Sequence, residues 1–130
     1  MMFVVKEYVQ ELRCKMLGLC FQSPNLIPNL SVFENVEVPL SLQDIPYELR
    51  KKRVHQIFKD FNLQNLVDKY PYQLSGGELM RVALLRGIVH DPRLLLCDEP
   101  IGNLDIDTSE QVLSLLLEIK KNREMTFIIA

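Results

Sequence analysis

Leu94-Leu95-Leu96-Cys97-Asp98-Glu99-Pro100 is the stretch from which the fold can be read. Four apolar residues run without a polar break into two adjacent carboxylates. The run is too short for a helix and lacks the alternation of a half-wet strand. It reads as a strand buried on both faces, with its C-terminal end at a site. A similar run, Thr126-Phe127-Ile128-Ile129-Ala130, closes the chain and reads as a second buried strand. Between them Val112 to Ile119 forms a strongly apolar helix, with Thr108-x-x-Gln111 fitting a capping box ahead of it. Strand, helix and strand in this order predict a βαβ unit and a parallel sheet.

Upstream, Met16-Leu17-Gly18-Leu19-Cys20-Phe21 is another short apolar run and reads as a buried strand. Val5, Val9 and Leu12 before it lie at helical spacing. Gln22-Ser23-Pro24-Asn25 opens a loop. Pro24, Pro28 and Pro39 make long regular elements unfavourable from Gln22 to Leu42, apart from a short helix over Ser31 to Glu37 capped by Ser31-x-x-Glu34. Val54, Ile57, Phe58 and Phe61 mark an amphipathic helix, stopping at Asn62. A shorter helix is expected over Asn65 to Lys69, broken at Tyr70-Pro71. Ser75-Gly76-Gly77-Glu78 starts a largely buried helix that runs to about His90 and ends at Asp91-Pro92. The stretch between the first and second strands therefore predicts a helical lobe inserted into the sheet core. A chain that starts just before one buried strand and ends inside another is expected to be part of a larger sheet.

The composition is that of a globular chain: 130 residues, 48% hydrophobic and 25% charged. Fifteen Lys and Arg oppose seventeen Asp and Glu, for a formal charge of −2. That leaves no basic excess for a nucleic-acid backbone. The one basic run, Arg50-Lys51-Lys52-Arg53, reads as a solvated helix face. No apolar run approaches the roughly 18 residues of a membrane span. Met1 to Val5 meets Lys6 and Glu7 too early for a secretory signal. The expected location is the cytoplasm, with any membrane connection made through a partner. Cys14, Cys20 and Cys97 are odd in number and lack CxxC spacing, which argues against a disulfide frame or a zinc site. They read as small buried hydrophobes in a reducing compartment.

Four features carry chemistry. Asp98 and Glu99 at a strand end repel each other unless a hard cation compensates them, and Mg²⁺ suits such oxygen ligands. Without one, the pair caps the turn at Pro100. Ser75 and Glu78 form a capping box, and the two glycines between them leave bare N–H groups at a positive helix end, which suits a phosphate. Gln22 follows a strand and offers a neutral amide to a metal or water; alone it reads as a solvated loop residue. Gly102-Asn103-Leu104-Asp105 alone reads as a turn before a capped helix. His55 and His90 read as ordinary surface or half-buried histidines.

In this order the four features resemble the ATP-binding subunits of ABC transporters, over nearly the whole chain. Leu17 to Gln22 is similar to the Q-loop strand of that family, and Leu74-Ser75-Gly76-Gly77-Glu78 to its LSGGE signature. Leu94 to Glu99 resembles the Walker B strand, and Gly102 to Asp105 the D-loop. Tyr70-Pro71-Tyr72-Gln73 and Arg81-Val82-Ala83 flank the signature as in the family. Pro28 to Val36, with Gly102-Asn103, looks most like the lipoprotein-release and macrolide-export branch.

The resemblance implies an α/β fold: part of a P-loop NTPase domain with a parallel-sheet core and an inserted helical lobe. It implies a core strand region at 1–21, a Q-loop and signature-bearing lobe at 22–91, and a Walker B and D-loop core at 92–130. It implies ATP and Mg²⁺ as cofactors, Asp98 and Gln22 at the metal, and Glu99 as the base for water. Ser75, Gly76, Gly77 and Glu78 would serve the nucleotide of a second, head-to-tail subunit, touched also by the D-loop through Asp105. A membrane permease would be the other partner, with the chain peripheral at the inner membrane face.

The phosphate-gripping G-x-x-x-x-G-K-S/T is absent from these 130 residues, and the switch histidine of the family would fall beyond Ala130. Leu79-Met80 and Ile101 stand where the family usually has polar residues, and are expected to change packing more than chemistry. These 130 residues are therefore expected not to hydrolyse ATP alone. The alternative is a truncated, non-catalytic module that only docks on a partner. A DNA-repair ATPase of the same superfamily would need long coiled coils between Gln22 and Ser75, and that interval is too short.

Overall fold

A computed structural model describes residues 2–130, with side-chain surroundings from residue 6 onward except for Tyr8, Arg13 and Cys14. The expected burial of Cys14 and the place of Val5 on its helix fall outside those side chains. The chain begins with helix α1 (Met2–Met16), which leads directly into strand β1 (Leu17–Cys20). Helices α2 (Val32–Ser41) and α3 (Tyr47–Asp60) follow, then 3₁₀ turns at Gln64–Leu66 and Pro71–Gln73. Helix α4 (Gly76–Ile88), strand β2 (Leu94–Cys97), helix α5 (Ile106–Asn122) and strand β3 (Thr126–Ile129) complete the fold.

The sheet is parallel throughout, in the order β1-β2-β3. Leu17 pairs with Leu94 and Cys20 with Cys97; on the other side Leu94 pairs with Thr126 and Cys97 with Ile129. Parallel strands need crossover connections, and α5 supplies the one between β2 and β3. The long crossover from β1 to β2 is the helical insertion, α2 to α4.

One face of the sheet is covered, and this corrects the expectation of strands buried on both faces. Gly18, Cys20, Leu95 and Cys97 are buried. Leu94 and Leu96 are only half-buried, and Leu19 is exposed. Side chains alternate along a strand, so the covered and open faces separate cleanly. The expected burial of β3 is also corrected. As the edge strand it leaves Ile128 and Ile129 more than half exposed. An unbroken apolar run reports that a strand suits a two-layered cover; it does not report how many layers these residues supply.

The helical elements follow their sequence patterns, with four adjustments. The α2 helix runs four residues past the expected end at Glu37, to Ser41, and passes through Pro39. Pro39 lies in its last turn, where the missing N–H costs a single ladder bond. Only a 3₁₀ turn, Gln64–Leu66, forms where a short helix over Asn65 to Lys69 was expected. Arg50 of the basic run is half-buried: its Nε bonds Glu37 Oε1 at 2.9 Å, while Lys51, Lys52 and Arg53 stay exposed. Finally, α5 begins at Ile106 with Asp105 as its cap, not at Thr108. Asp105-x-x-Thr108 outcompetes the Thr108-x-x-Gln111 pattern because the carboxylate reaches the Thr108 N–H at 2.7 Å.

The core joins the lobe to the sheet. Val32, Val36 and Leu40 of α2, Val54, Ile57 and Phe58 of α3, and Val82 to Leu85 of α4 share one apolar cluster with Leu95, Cys97, Val112 and Ile119. Helix α4 is the shared member, packing on α2, α5 and β1. Its closest approach is backbone to backbone: a Cβ at Gly18 would drive into the carbonyl oxygen of Gly87. At the end of α4, His90 donates from Nε2 to the Leu17 carbonyl at 2.9 Å, while its buried Nδ1 has no partner. Burial accordingly lowers the His90 pKa. Arg123, after α5, pairs with Asp91 and with Asp60 at the end of α3, tying the lobe to the sheet's lower edge.

Gly18→Ala is expected to cost about 3 kcal/mol, the upper range for inserting a carbon into a packed core. Urea unfolding reads this directly; an unchanged midpoint would show that β1 and α4 can separate freely.

Candidate functional site

The C-terminal ends of β1 and β2 lie side by side, and the ladder continues one step past the strands. Asp98 N–H donates to the Cys20 carbonyl at 2.8 Å, and Glu99 N–H to the Ala130 carbonyl at 3.1 Å. These bonds hold the acidic pair at the top of the sheet, where both residues are exposed. Glu99 has φ 44°, a left-handed conformation that turns the chain out of the strand. Gly102 N–H closes the turn on the Glu99 carbonyl at 3.1 Å.

Gln22, two residues beyond β1, meets this turn. A Cβ on Gly102 would lie 2.9 Å from Gln22 Nε2 and 3.4 Å from Glu99 Oε2. The structure therefore gathers Gln22, Glu99 and Gly102 at one point, with Asp98 next to Glu99 just past the end of β2. This arrangement fits Mg²⁺: the donors are two carboxylates and an amide at a solvent-facing strand end. Such an ion needs few protein oxygens, because it keeps waters and phosphate oxygens for the rest.

The Ser75 site is built separately, at the start of α4. Ser75 Oγ accepts from the Glu78 N–H at 3.2 Å, and Glu78 Oε1 accepts from the Ser75 N–H at 3.0 Å. The second of these contacts, donation from the Ser75 backbone N–H to the carboxylate, is the main cause holding the Glu78 carboxyl below the usual range. Helix geometry leaves the Gly76 and Gly77 N–H groups without an intrahelical acceptor, at the positive end of the dipole.

Both glycines touch the start of α5. A Cβ on Gly77 would collide with Cγ2 of Thr108, and one on Gly76 would sit 3.6 Å from Cδ2 of Leu104. Sequence reading did not find Thr108 as a neighbour of the signature, because it took that residue for a helix cap. Leu104 and Asp105 thus act within the same chain: Leu104 against Gly76, and Asp105 as the cap of α5. Hydrogen bonding to Thr108 lowers the Asp105 pKa. Asn103 is exposed in the turn between Gly102 and Leu104.

Other residues fall where the sequence implied. His55 is exposed and rests on the Phe33 ring at 5.3 Å, and His90 is half-buried. Met80 is buried and Ile101 packs against the core, so both departures from the family pattern go into packing.

The ABC transporter family pattern matches residues 5–102. The chain belongs to that family. Its relatives include the ABC transporter ATP-binding protein YtrE of Bacillus subtilis, 41% identical over 98% of this chain and 54% of that protein. The lipoprotein-releasing ATP-binding protein LolD of Blochmanniella floridana is also 41% identical, over 88% of this chain and 48% of its own length. Among solved structures, the cassette MJ0796, described as a dimer bound to ADP and Pi, superposes with a TM-score of 0.76 at 32% identity. It aligns over 95% of this chain and 56% of its own. CbiO1 of Clostridium perfringens, part of the cbiONQ complex, gives a TM-score of 0.83 at 32% identity over 94% of this chain and 49% of its own. The ABC chain thus spans about half the length of the curated relatives it matches. Members of this family bind ATP and hydrolyse it, and the fold seen here is that of their ATPase cassette, in part.

Among the described residues no helix is long and apolar enough to cross a membrane.

Asp105→Ala is expected to lower the chemical-unfolding midpoint through loss of the α5 cap. The depressed Glu78 and Asp105 carboxyls work in the same direction. Their contribution is complete above their unfolded pKa values, near 4, and is lost as pH falls through the lower folded values. An acid titration of the double variant Glu78→Gln, Asp105→Asn should be flatter between about pH 4 and 2 than that of the native chain.

Proposed function

We propose that the chain is the switching part of an ATP-hydrolysing subunit that powers an ABC transporter through a membrane permease. The observation that carries this reading is the convergence of Gln22, Glu99 and Gly102 beside Asp98, in a chain whose α4 begins with the family signature. Residues 1–21 and 92–130 are read as sheet core and residues 22–91 as the signature-bearing lobe. A cytoplasmic position, peripheral to the membrane through the permease, goes with this role.

The residues then divide the work. Asp98, with Gln22, would hold Mg²⁺. Bound there, the ion neutralises charge on the nucleotide phosphates. Glu99 is exposed and turned out of its strand, so its carboxylate is free to accept a proton from water. The left-handed turn and the Gly102 contact keep that carboxylate beside the Gln22 amide. Gln22 sits at the end of β1, where movement of the amide is passed to the loop that follows. Ser75, Gly76 and Gly77 present a hydroxyl and two free N–H groups to the nucleotide of a second subunit. The cap of Glu78 on Ser75 keeps that helix end ordered. Asp105 and the turn before it complete the facing surface.

The relatives' names support the coupling to transport: LolD is described as part of a lipoprotein-releasing system and CbiO1 as part of a transporter complex. The dimer reported for MJ0796 supports a second subunit.

These residues alone lack a phosphate-gripping loop, so calorimetry of the purified chain with Mg-ATP is expected to show no binding. Turnover by the chain that vanished in Glu99→Gln would overturn this. Completed with the flanking upstream and downstream segments of a relative such as YtrE, the chain should hydrolyse ATP. In that chimera Glu99→Gln should slow turnover about a thousandfold, within the range for removing a general base.

A further inference from the structure

Three buried sulfur-bearing residues are neighbours in the core, in a place that the nucleotide chemistry leaves unused. Cys20 and Cys97 occupy registered positions on neighbouring strands and point to the covered face. Cys20 Sγ lies 3.5 Å from Sδ of Met80 on α4, and Cys97 is its registered partner on the neighbouring strand. All three residues are at most 2% exposed, and both cysteines are free thiols. The chain has only three Cys and five Met, and the fold makes neighbours of three of these eight sulfur residues.

We propose that Cys20, Cys97 and Met80 form a binding site for a soft monovalent cation, Cu(I) above all. Two thiolates and a thioether are the donors that select Cu(I) over harder ions. A structural zinc site would need four ligands, and no cluster of three His, Cys, Asp or Glu exists among the described residues. Binding releases both thiol protons, so the filled site carries one negative charge. A cation is already in place for it: the half-buried Arg86 guanidinium interacts electrostatically with Cys20, and it is oriented by the carbonyls of Pro24 and Asn25. The donors come from two different strands and a helix, so an occupied site pins β1, β2 and α4 together. It does so two residues before Gln22 and one before Asp98. The site stands independently of the nucleotide reading.

The test is anaerobic titration of the Cys14→Ser chain with Cu(I) against a chromophoric Cu(I) chelator. One equivalent retained by the protein is expected, with none retained by Cys20→Ser or Cys97→Ser. Met80→Leu should bind more weakly, and Arg86→Gln about tenfold more weakly, as for other outer-shell partners. X-ray absorption of the loaded chain should show sulfur ligands only, a readout that does not depend on any variant folding. No retained copper, retention undiminished in the cysteine variants, or nitrogen and oxygen ligands at the metal would each overturn the proposal.

Discussion

The structure depends on the hydrogen-bond ladder of β2. This strand is the middle of three, and each of its backbone groups has a partner on one side or the other. The ladder also extends past both ends of β2. Arg93 N–H donates to the Met16 carbonyl below, and Asp98 and Glu99 donate to Cys20 and Ala130 above. Buried backbone groups that lack partners are costly, so these extensions fix the chain on either side of the strand. The acidic pair is therefore placed by main-chain geometry, and the side chains remain free for other contacts. Gln22 reaches the same spot because β1 ends in register with β2.

The glycines show why the helical insertion sits where it does. Gly18 and Gly87 let a strand and a helix meet through their backbones, and Gly77 receives the methyl of Thr108. The signature glycines thus have a packing duty inside the chain as well as bare N–H groups at the helix end. Large apolar side chains from α2 and α3 then close the core around α4.

Much of this was legible in the residues. The strand at Leu94 to Cys97, the capping box at Ser75 and Glu78, and the amphipathic face of Val54, Ile57 and Phe58 all follow from local pattern. So did the grouping of the candidate site, since strand ends of a parallel sheet gather on one edge. Solvent exposure was less legible. Ile128 and Ile129 are apolar enough for a core, yet β3 lies at the edge, and which strand lies at an edge depends on sheet order. The start of α5 was misread because Asp105 and Thr108 both suit a cap, and only three-dimensional reach decides between them. The meeting of Gly77 with Thr108 was invisible, since residues 31 apart carry no shared periodicity.

The contact between Gly18 and Gly87 has a mechanical consequence. It lies near one end of α4, and the Ser75 cap lies at the other, about 18 Å away at 1.5 Å per residue. With no side chains between them, the two backbones form a pivot that resists sliding but allows slight rocking. A tilt of about 10° there would swing the signature end by about 3 Å, on the same helix length. The helix is thus a lever whose fulcrum rests on the strand that leads to Gln22.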